Sequence, residues 1–434
     1  MSLARIAELD VRLGAFITVA DAFARAEARG RERELDARRD RGPLHGIPIA
    51  LKDLYETAGV RTTAGSAFLR ENVPASDAEP VRRLRESGIV MLGKTSLHEW
   101  AYGVTNDNPH FGPVRNPYDL ERIPGGSSGG SAAALATGMC AASLGTDTGG
   151  SIRIPASLCG IVGLKPTSGR VSVRGVIPLS WTLDHAGPMT RTVRDAAIVL
   201  DAIAGYDADD PSSVDRPAPD SLAHIEDGVR GMTLGLPREH FFARAESEVG
   251  VLVRVASRVL ESAGARLVEV SMPWIDEVTE TQATILGADA AAYHRERLET
   301  RAEDFGSDVR RRLERGRART GPEVSAARHI RTRLHRDMEM LLLDVDALLM
   351  PTTPIAAPPR LGQDAVEAAA RLTSFTAPFN LTGVPAISIP CGFTKQGLPV
   401  GLQLASAPWT EGKLLRVARA YEREASWPTV VAQP

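Results

Sequence analysis

Ser151 follows two glycines in the segment TDTGGSIRIP. A serine hydroxyl is a weak nucleophile; to attack a carbonyl it needs a proton acceptor beside it and donors for the oxyanion that forms. Glycines ahead of a serine let the backbone approach a carbonyl closely. The successive N–H groups of Thr148, Gly149, Gly150 and Ser151 can point into one concavity. GGSSGG, residues 125–130, adds the hydroxyls of Ser127 and Ser128 and more glycine backbone. Lys52 stands in the apolar run IALKDL. Desolvation there favours the neutral amine, and a neutral amine accepts a proton. Only five of the chain's 51 cationic residues are lysines, so arginine supplies the surface charge and a lysine among apolar neighbours stands out. Hydroxyl, base and backbone donors together suit acyl transfer.

Other chemistries fit these residues less well. GGSSGGSAAA lacks the Gly-Lys-Ser/Thr ending of a phosphate loop, and the glycine spacing and distal acid of a dinucleotide site. No G-x-S-x-G elbow surrounds Ser151. His45, His98, His110 and His185 lie in the first half, none in a pattern that marks a catalytic base; each reads as structural or as a donor in a pocket wall. No histidine, cysteine and acid cluster has metal-ligand spacing, so neither metal nor cofactor is expected. Cys140, Cys159 and Cys391 are far apart in apolar surroundings and read as reduced, buried thiols.

Positioning such groups requires elements that end at one place. IPIAL before Lys52 reads as a strand, and IVMLG from Ile89 as a second. The glycine–serine loop leads into an alanine-rich helix and a short strand that precedes Ser151. Small residues on that helix predict close packing on a sheet. Apolar spacing predicts a helix from about Ser2 to Gly30, followed by a solvated link from Arg29 to Gly42. A helix is expected after Ser76 or Asp77, and another after a Thr190 or Thr192 cap. Residues 207–220, acidic and proline-rich, read as a surface loop; GMTLGLP and ARLVEVSMP read as strands; residues from about 277 to 343 read as mostly helical. DALLMPTTP, AISIPCGF and VGLQLAS read as strands, with a helix through Leu414 and Tyr421 behind them. Alternating strands and helices imply an α/β protein with a mixed or mostly parallel sheet.

Composition is that of an ordinary globular chain: 434 residues, 43% hydrophobic, 24% charged, net charge -3 and pI near 6.3. There is no global basicity to recruit nucleic acid, no apolar run long enough to span a membrane, and no secretory pattern at the amino terminus. A cytoplasmic protein is expected.

The sequence resembles the amidase signature family. The resemblance lies in PLHGIPIALKDL, GKTSLHEWAYG, GPVRNPYDLERIPGGSSGGSAAA, SLGTDTGGSIRIPASLCGIVGLKPTSGRVS, LDHAGPMTRTVRDAA and PAISIPCGFTKQGLPVGLQLAS. It runs from about Leu13 to Tyr421 and is weakest between about Asp207 and Asp346. It implies a single α/β/α domain over residues 1–434, with a mixed sheet of about eleven strands and a variable, mostly helical pocket region at about 207–346. It also implies Ser151 as acyl-ester nucleophile, Ser127, behind a cis peptide bond, as proton relay, and Lys52 as general base and acid. Thr148, Gly149, Gly150 and Ser151 would form the oxyanion hole, Ser128 would bond within the triad, and Asp147 and Arg153 would brace the nucleophile loop.

Within the family, the amidotransferase component that hydrolyses glutamine for glutamyl-tRNA(Gln), its A subunit, and stand-alone amidases related to it are the nearest in pattern. FGSDVRRRLERG, from Phe305, resembles the segment of that component that holds the carboxylate of glutamine, and assigns the role to Arg311 or Arg312. Thr373 stands where that component carries an acid for the substrate's amino group, and the chain is short for it. A stand-alone amidase acting on a small-molecule amide, as a monomer or a homodimer, is therefore the first expectation. The glutamine-hydrolysing component is the alternative, and an inactive amidase-like scaffold the third reading.

Overall fold

In IPIAL, Ile49 and Leu51 belong to one hydrophobic core and Ala50 to another. A strand whose alternate residues enter two cores is covered on both faces, which is why its sequence is a continuous apolar run. This computed structural model describes residues 1–361, 369–425 and 432–434. Apart from a two-stranded ribbon of Asp107–Asn108 and Gly112–Pro113, its strands are β1 (Phe16–Val19), β2 (Pro48–Lys52), β3 (Val90–Thr95), β4 (Ala142–Thr146), β5 (Val162–Lys165), β6 (Ala186–Thr190), β7 (Thr233–Pro237), β8 (Arg266–Val270), β9 (Ala347–Pro351), β10 (Ala386–Phe393) and β11 (Pro399–Ala405).

These eleven form one sheet in the order β1-β3-β2-β4-β6-β5-β10-β11-β9-β7-β8. β2 pairs in parallel with β3 and β4. β7 does so with β8 and β9. The six remaining pairings are antiparallel, so the sheet is mixed. One face is covered by the helices Gly129–Ala136 and Arg153–Leu158. Every residue of both is buried, and the small side chains of the first let it lie close against β2 and β4. Val193–Ile203, Ser247–Ser262 and Glu411–Ala425 pack over the other face. The result is a single α/β/α domain, as the resemblance implied.

Several local expectations need correction. The amino-terminal helix stops at Leu13, where Gly14 takes a left-handed conformation (φ 64°) and its N–H bonds back to Asp10. β1 follows, pairing antiparallel with β3, so the apolar residues Phe16 and Ile17 belong to a sheet edge rather than a helix face. Helix resumes from Asp21 to Asp36, and half of the expected link is helical. The helix Glu79–Glu86 begins after Ala78 without a side-chain cap; the Asp77 carboxylate is occupied by the N–H of Ala58. Thr192, one of the two candidates, caps Val193–Ile203 by accepting from the N–H of Asp195. Residues 207–220 contain no regular element. Most of the region from 207 to 346 is helical, and the strands expected at GMTLGLP and ARLVEVSMP are β7 and β8, which extend the sheet from within it. No helix among the described residues is long and apolar enough to cross a membrane.

Candidate active site

Lys52 closes β2, Thr146 closes the neighbouring parallel strand β4, and Ser127 lies in the loop before the alanine-rich helix. Parallel strands end at the same edge, so side chains at those ends meet. Lys52 Nζ is 2.7 Å from Ser127 Oγ and 2.7 Å from Thr146 Oγ1. All three residues are buried. Burial pulls the Lys52 amine down to about 7 against the opposing charges of Asp184 and Asp147, so neutral amine is abundant near neutral pH.

The loop carrying Ser151 runs beside the one carrying Ser127. The N–H of Ser128 donates to the carbonyl of Ser151 at 3.2 Å, and the Ser128 hydroxyl donates to the carbonyl of Thr146. The bond between Gly126 and Ser127 is cis. Among the described residues, the Ser151 hydroxyl makes no hydrogen bond and faces a cavity of about 400 Å³ whose wall includes Thr148 and Gly149. The link between Ser151 and Ser127 is thus left open in this geometry; catalytic hydrogen bonds often tighten only once substrate is bound.

The nucleophile loop is braced from below. Asp147 and Arg153 are fully buried and pair at 2.9 Å. Asp147 also accepts from the N–H groups of Gly150, Ile152 and Arg153 and from Asn380 Nδ2. Burial pushes its carboxyl up, but the Arg153 charge and these donors outweigh burial and hold it far below the usual range. Arg153 continues to the Thr376 carbonyl, Gln403 Oε1 and Asn380 Oδ1. This corrects one expectation. The Gly150 N–H donates to Asp147 Oδ1 at 2.8 Å and is not free for an oxyanion. The N–H groups of Thr148, Gly149 and Ser151 have no acceptor among the described residues. Gly150 serves the loop differently: its φ is 131°, and a Cβ there would come 2.1 Å from Thr376 Oγ1.

Sequence reasoning missed several neighbours. Thr146 shares Lys52 with Ser127. Asp184 holds the Thr148 hydroxyl at 2.5 Å and accepts from the N–H groups of Leu179 and Ser180; burial raises its carboxyl to about 6. Gln282, on the helix Val278–Tyr293, donates to the Thr148 carbonyl at 3.0 Å. Thr376 donates to the Gly149 carbonyl at 2.6 Å. Asp184 stands in the segment LDHAGPMTRTVRDAA and Thr376 three residues after Thr373; nothing in the helical pattern around Gln282 marked it. Of the expected substrate residues, Arg312 and Thr373 line the cavity with Ser151, while Arg311 lines an adjoining one. His185 is buried 3.2 Å from the Asp147 carbonyl and His98 bonds Asp308, both serving structure. Among the described residues no group of three histidines, cysteines or acids is placed to hold a metal.

A mixed sheet between helix layers, with serine, serine and lysine at one edge, defines a serine-type amidohydrolase. The chain belongs to the amidase signature family: the family model for amidases matches residues 1–415. It is 46% identical to the A subunit of the glutamyl-tRNA(Gln) amidotransferase of Myxococcus xanthus, over 98% of this chain and 92% of that protein. It superposes with a TM-score of 0.92, at 35% identity and over 97% and 93% of the two chains, on a vestigial protein complex described as revealing the origins of an s-triazine catabolic enzyme. The peptide amidase of Stenotrophomonas maltophilia matches with a TM-score of 0.86 and 36% identity, over 98% of this chain and 92% of that one.

Proposed function

We propose that this chain hydrolyses a small carboxamide to a carboxylate and ammonia through an acyl-enzyme on Ser151. The observation that carries the proposal is the alignment of Lys52 Nζ and Ser127 Oγ at 2.7 Å, next to a free Ser151 hydroxyl and unpaired backbone donors at the floor of a cavity. Neutral Lys52 takes the Ser127 proton as Ser127 takes that of Ser151. Ser151 attacks the carbonyl, and the oxyanion is received by the N–H groups of Thr148, Gly149 and Ser151. The proton returns along the same path to the leaving nitrogen, the C–N bond breaks, and water releases the acid.

Two settings share this chemistry. Similarity over nearly the whole chain favours the glutamine-hydrolysing component of a tRNA-dependent amidotransferase. Thr373, standing in the cavity wall where an acid for an amino group is expected, favours an enzyme acting on another amide, alone or as a homodimer. The test is ammonia release from glutamine and from a panel of carboxamides, with the chain alone and with the other amidotransferase components added. Glutamine turnover only with those components establishes the first setting; turnover of another amide by the chain alone establishes the second. No ammonia in either, with Ser151 inert to a serine-directed phosphonate, removes the hydrolase reading.

A further inference from the structure

A trans peptide unit is planar, and its C=O and N–H point in opposite directions. Whatever holds the carbonyl of one residue therefore aims the N–H of the next. Every bond from Asp147 to Ser151 is trans. The carbonyls behind all three free N–H groups are held. That of Asp147, which shares a unit with the Thr148 N–H, accepts from Asn380 Nδ2 at 2.9 Å and from the His185 N–H at 3.1 Å. That of Gly150, which shares a unit with the Ser151 N–H, accepts from the Ile154 N–H at 2.7 Å. That of Thr148, which shares a unit with the Gly149 N–H, accepts from Gln282 Nε2 at 3.0 Å. The remaining unit, between Gly149 and Gly150, is bonded at both ends, to Thr376 Oγ1 and Asp147 Oδ1, and has nothing left for an oxyanion.

Gln282 differs from the other anchors. Asn380 is tied to the brace beneath the loop, His185 leads into β6, and Ile154 belongs to the helix that follows Ser151. Gln282 comes instead from Val278–Tyr293, the helix that also lines the cavity with Ala283 and Leu286. Among the described residues it is the one donor to the Thr148 carbonyl. A carbonyl only accepts, so the amide must turn its NH2 toward Thr148. Its Oε1 has no hydrogen-bond partner among the described residues, so the buried amide is oriented by this single bond. Gly149 leaves room for it: a Cβ there would come 3.1 Å from Gln282 Nε2.

We infer that Gln282 is a positioning residue for the reaction: through the Thr148 carbonyl it aims the Gly149 N–H at the oxyanion, so a helix of the pocket wall sets the rate of the chemical step. This rests on the carboxamide-hydrolysis reading. Gln282→Met keeps the length of the side chain without a donor; Gln282→Glu keeps its shape but, ionised, also has none. The full chain and both variants should be compared in kcat and KM for the best amide of the panel, in the rate of phosphonate labelling of Ser151, and in inhibition by an alkylboronic acid, which forms a tetrahedral adduct on a serine. Removing an oxyanion donor costs about 10² to 10³ in kcat; misaiming one that remains should cost about tenfold to a hundredfold. KM should stay within about threefold, because the interaction is made in the transition state. Labelling and boronate affinity should fall with kcat, whereas a residue that only packs the helix would lower thermal stability and leave these untouched. If Gln282→Met does not fold, Gln282→Glu carries the comparison. A kcat within about twofold of the unsubstituted chain, or a loss confined to KM, overturns the inference and leaves hydrolysis standing. Slowed labelling in the variants, with every amide inert to the unsubstituted chain, supports the inference and removes the hydrolase reading. An unsubstituted Ser151 inert to both phosphonate and amides removes both.

Discussion

Lys52 shows most directly how environment makes a residue reactive. Its amine is ordinary; its burial at the end of β2 brings the pKa to about 7. The proposed base is the neutral form, which dominates above that pKa, so kcat/KM should rise with pH through about 7 and then level off. Asp184, at about 6, ionises lower and should not set the upper part of that limb. A pH–rate profile flat from about 5.5 to 8.5 excludes Lys52 as the base, since a base with a pKa between those limits must titrate there. Lys52→Ala should lose activity at every pH, by about 10² to 10⁴, the usual range for general-base catalysis. Asp147 makes a different prediction. Its carboxylate neutralises a fully buried guanidinium, so Asp147→Asn leaves Arg153 without a counter-charge. Breaking a buried pair from one side costs about 3–5 kcal/mol. Denaturant unfolding should show a loss of that order, and a shift under about 1 kcal/mol is incompatible with the brace described above.

At the scale of elements, two parallel strands and a glycine loop bring the proposed base and relay together, whereas two helices build the pocket. The helices Val278–Tyr293 and Ser307–Arg317 meet at Gly287 and Gly316 with no room for a side chain. Gly316→Val should spread them, lower thermal stability and raise KM, while phosphonate labelling of Ser151 proceeds, because β2 and β4 are untouched. Normal KM and stability in that variant mean the contact does not set the cavity. Gly150→Ala should act on chemistry instead. Its Cβ meets Thr376 Oγ1 at 2.1 Å and its φ of 131° disfavours alanine, so the loop must shift and misalign the donors. Loss of an oxyanion donor costs about 10² to 10³ in kcat. A fall in kcat well beyond any rise in KM is expected, and the reverse pattern assigns Gly150 to binding.

For the whole molecule, catalysis by organic groups alone predicts that activity survives exhaustive chelation; loss on metal removal with recovery by one specific metal defeats the scheme. Much of the architecture was legible in the sequence for a physical reason. Strands covered on both faces are largely apolar, so β2, β3, β9 and β10 announce themselves as runs such as IPIAL, IVMLG and AISIPCGF. β1 did not, since an edge strand of four residues beside a helix carries no such run and its Phe16 and Ile17 fit the helical spacing equally well. Composition also gave no sign of the sheet's order, because which strands pair depends on how the crossover helices return the chain.

The sequence by itself determined the chemistry on offer: a serine after two glycines, a second serine in a glycine loop, and a lysine in an apolar strand. Those choices are local, written in residue type and immediate neighbours. Only the tertiary structure decided that Lys52 meets Thr146 as well as Ser127, that Gly150 gives its N–H to Asp147, and that Arg312 rather than Arg311 faces Ser151. Each is a contact made by the packed loop or between segments far apart in the chain, or a choice between adjacent side chains on a helix. A turn of about 100° per residue separates neighbours on a helix, so the direction in which the helix packs, not the identity of two consecutive arginines, selects the one that enters the cavity.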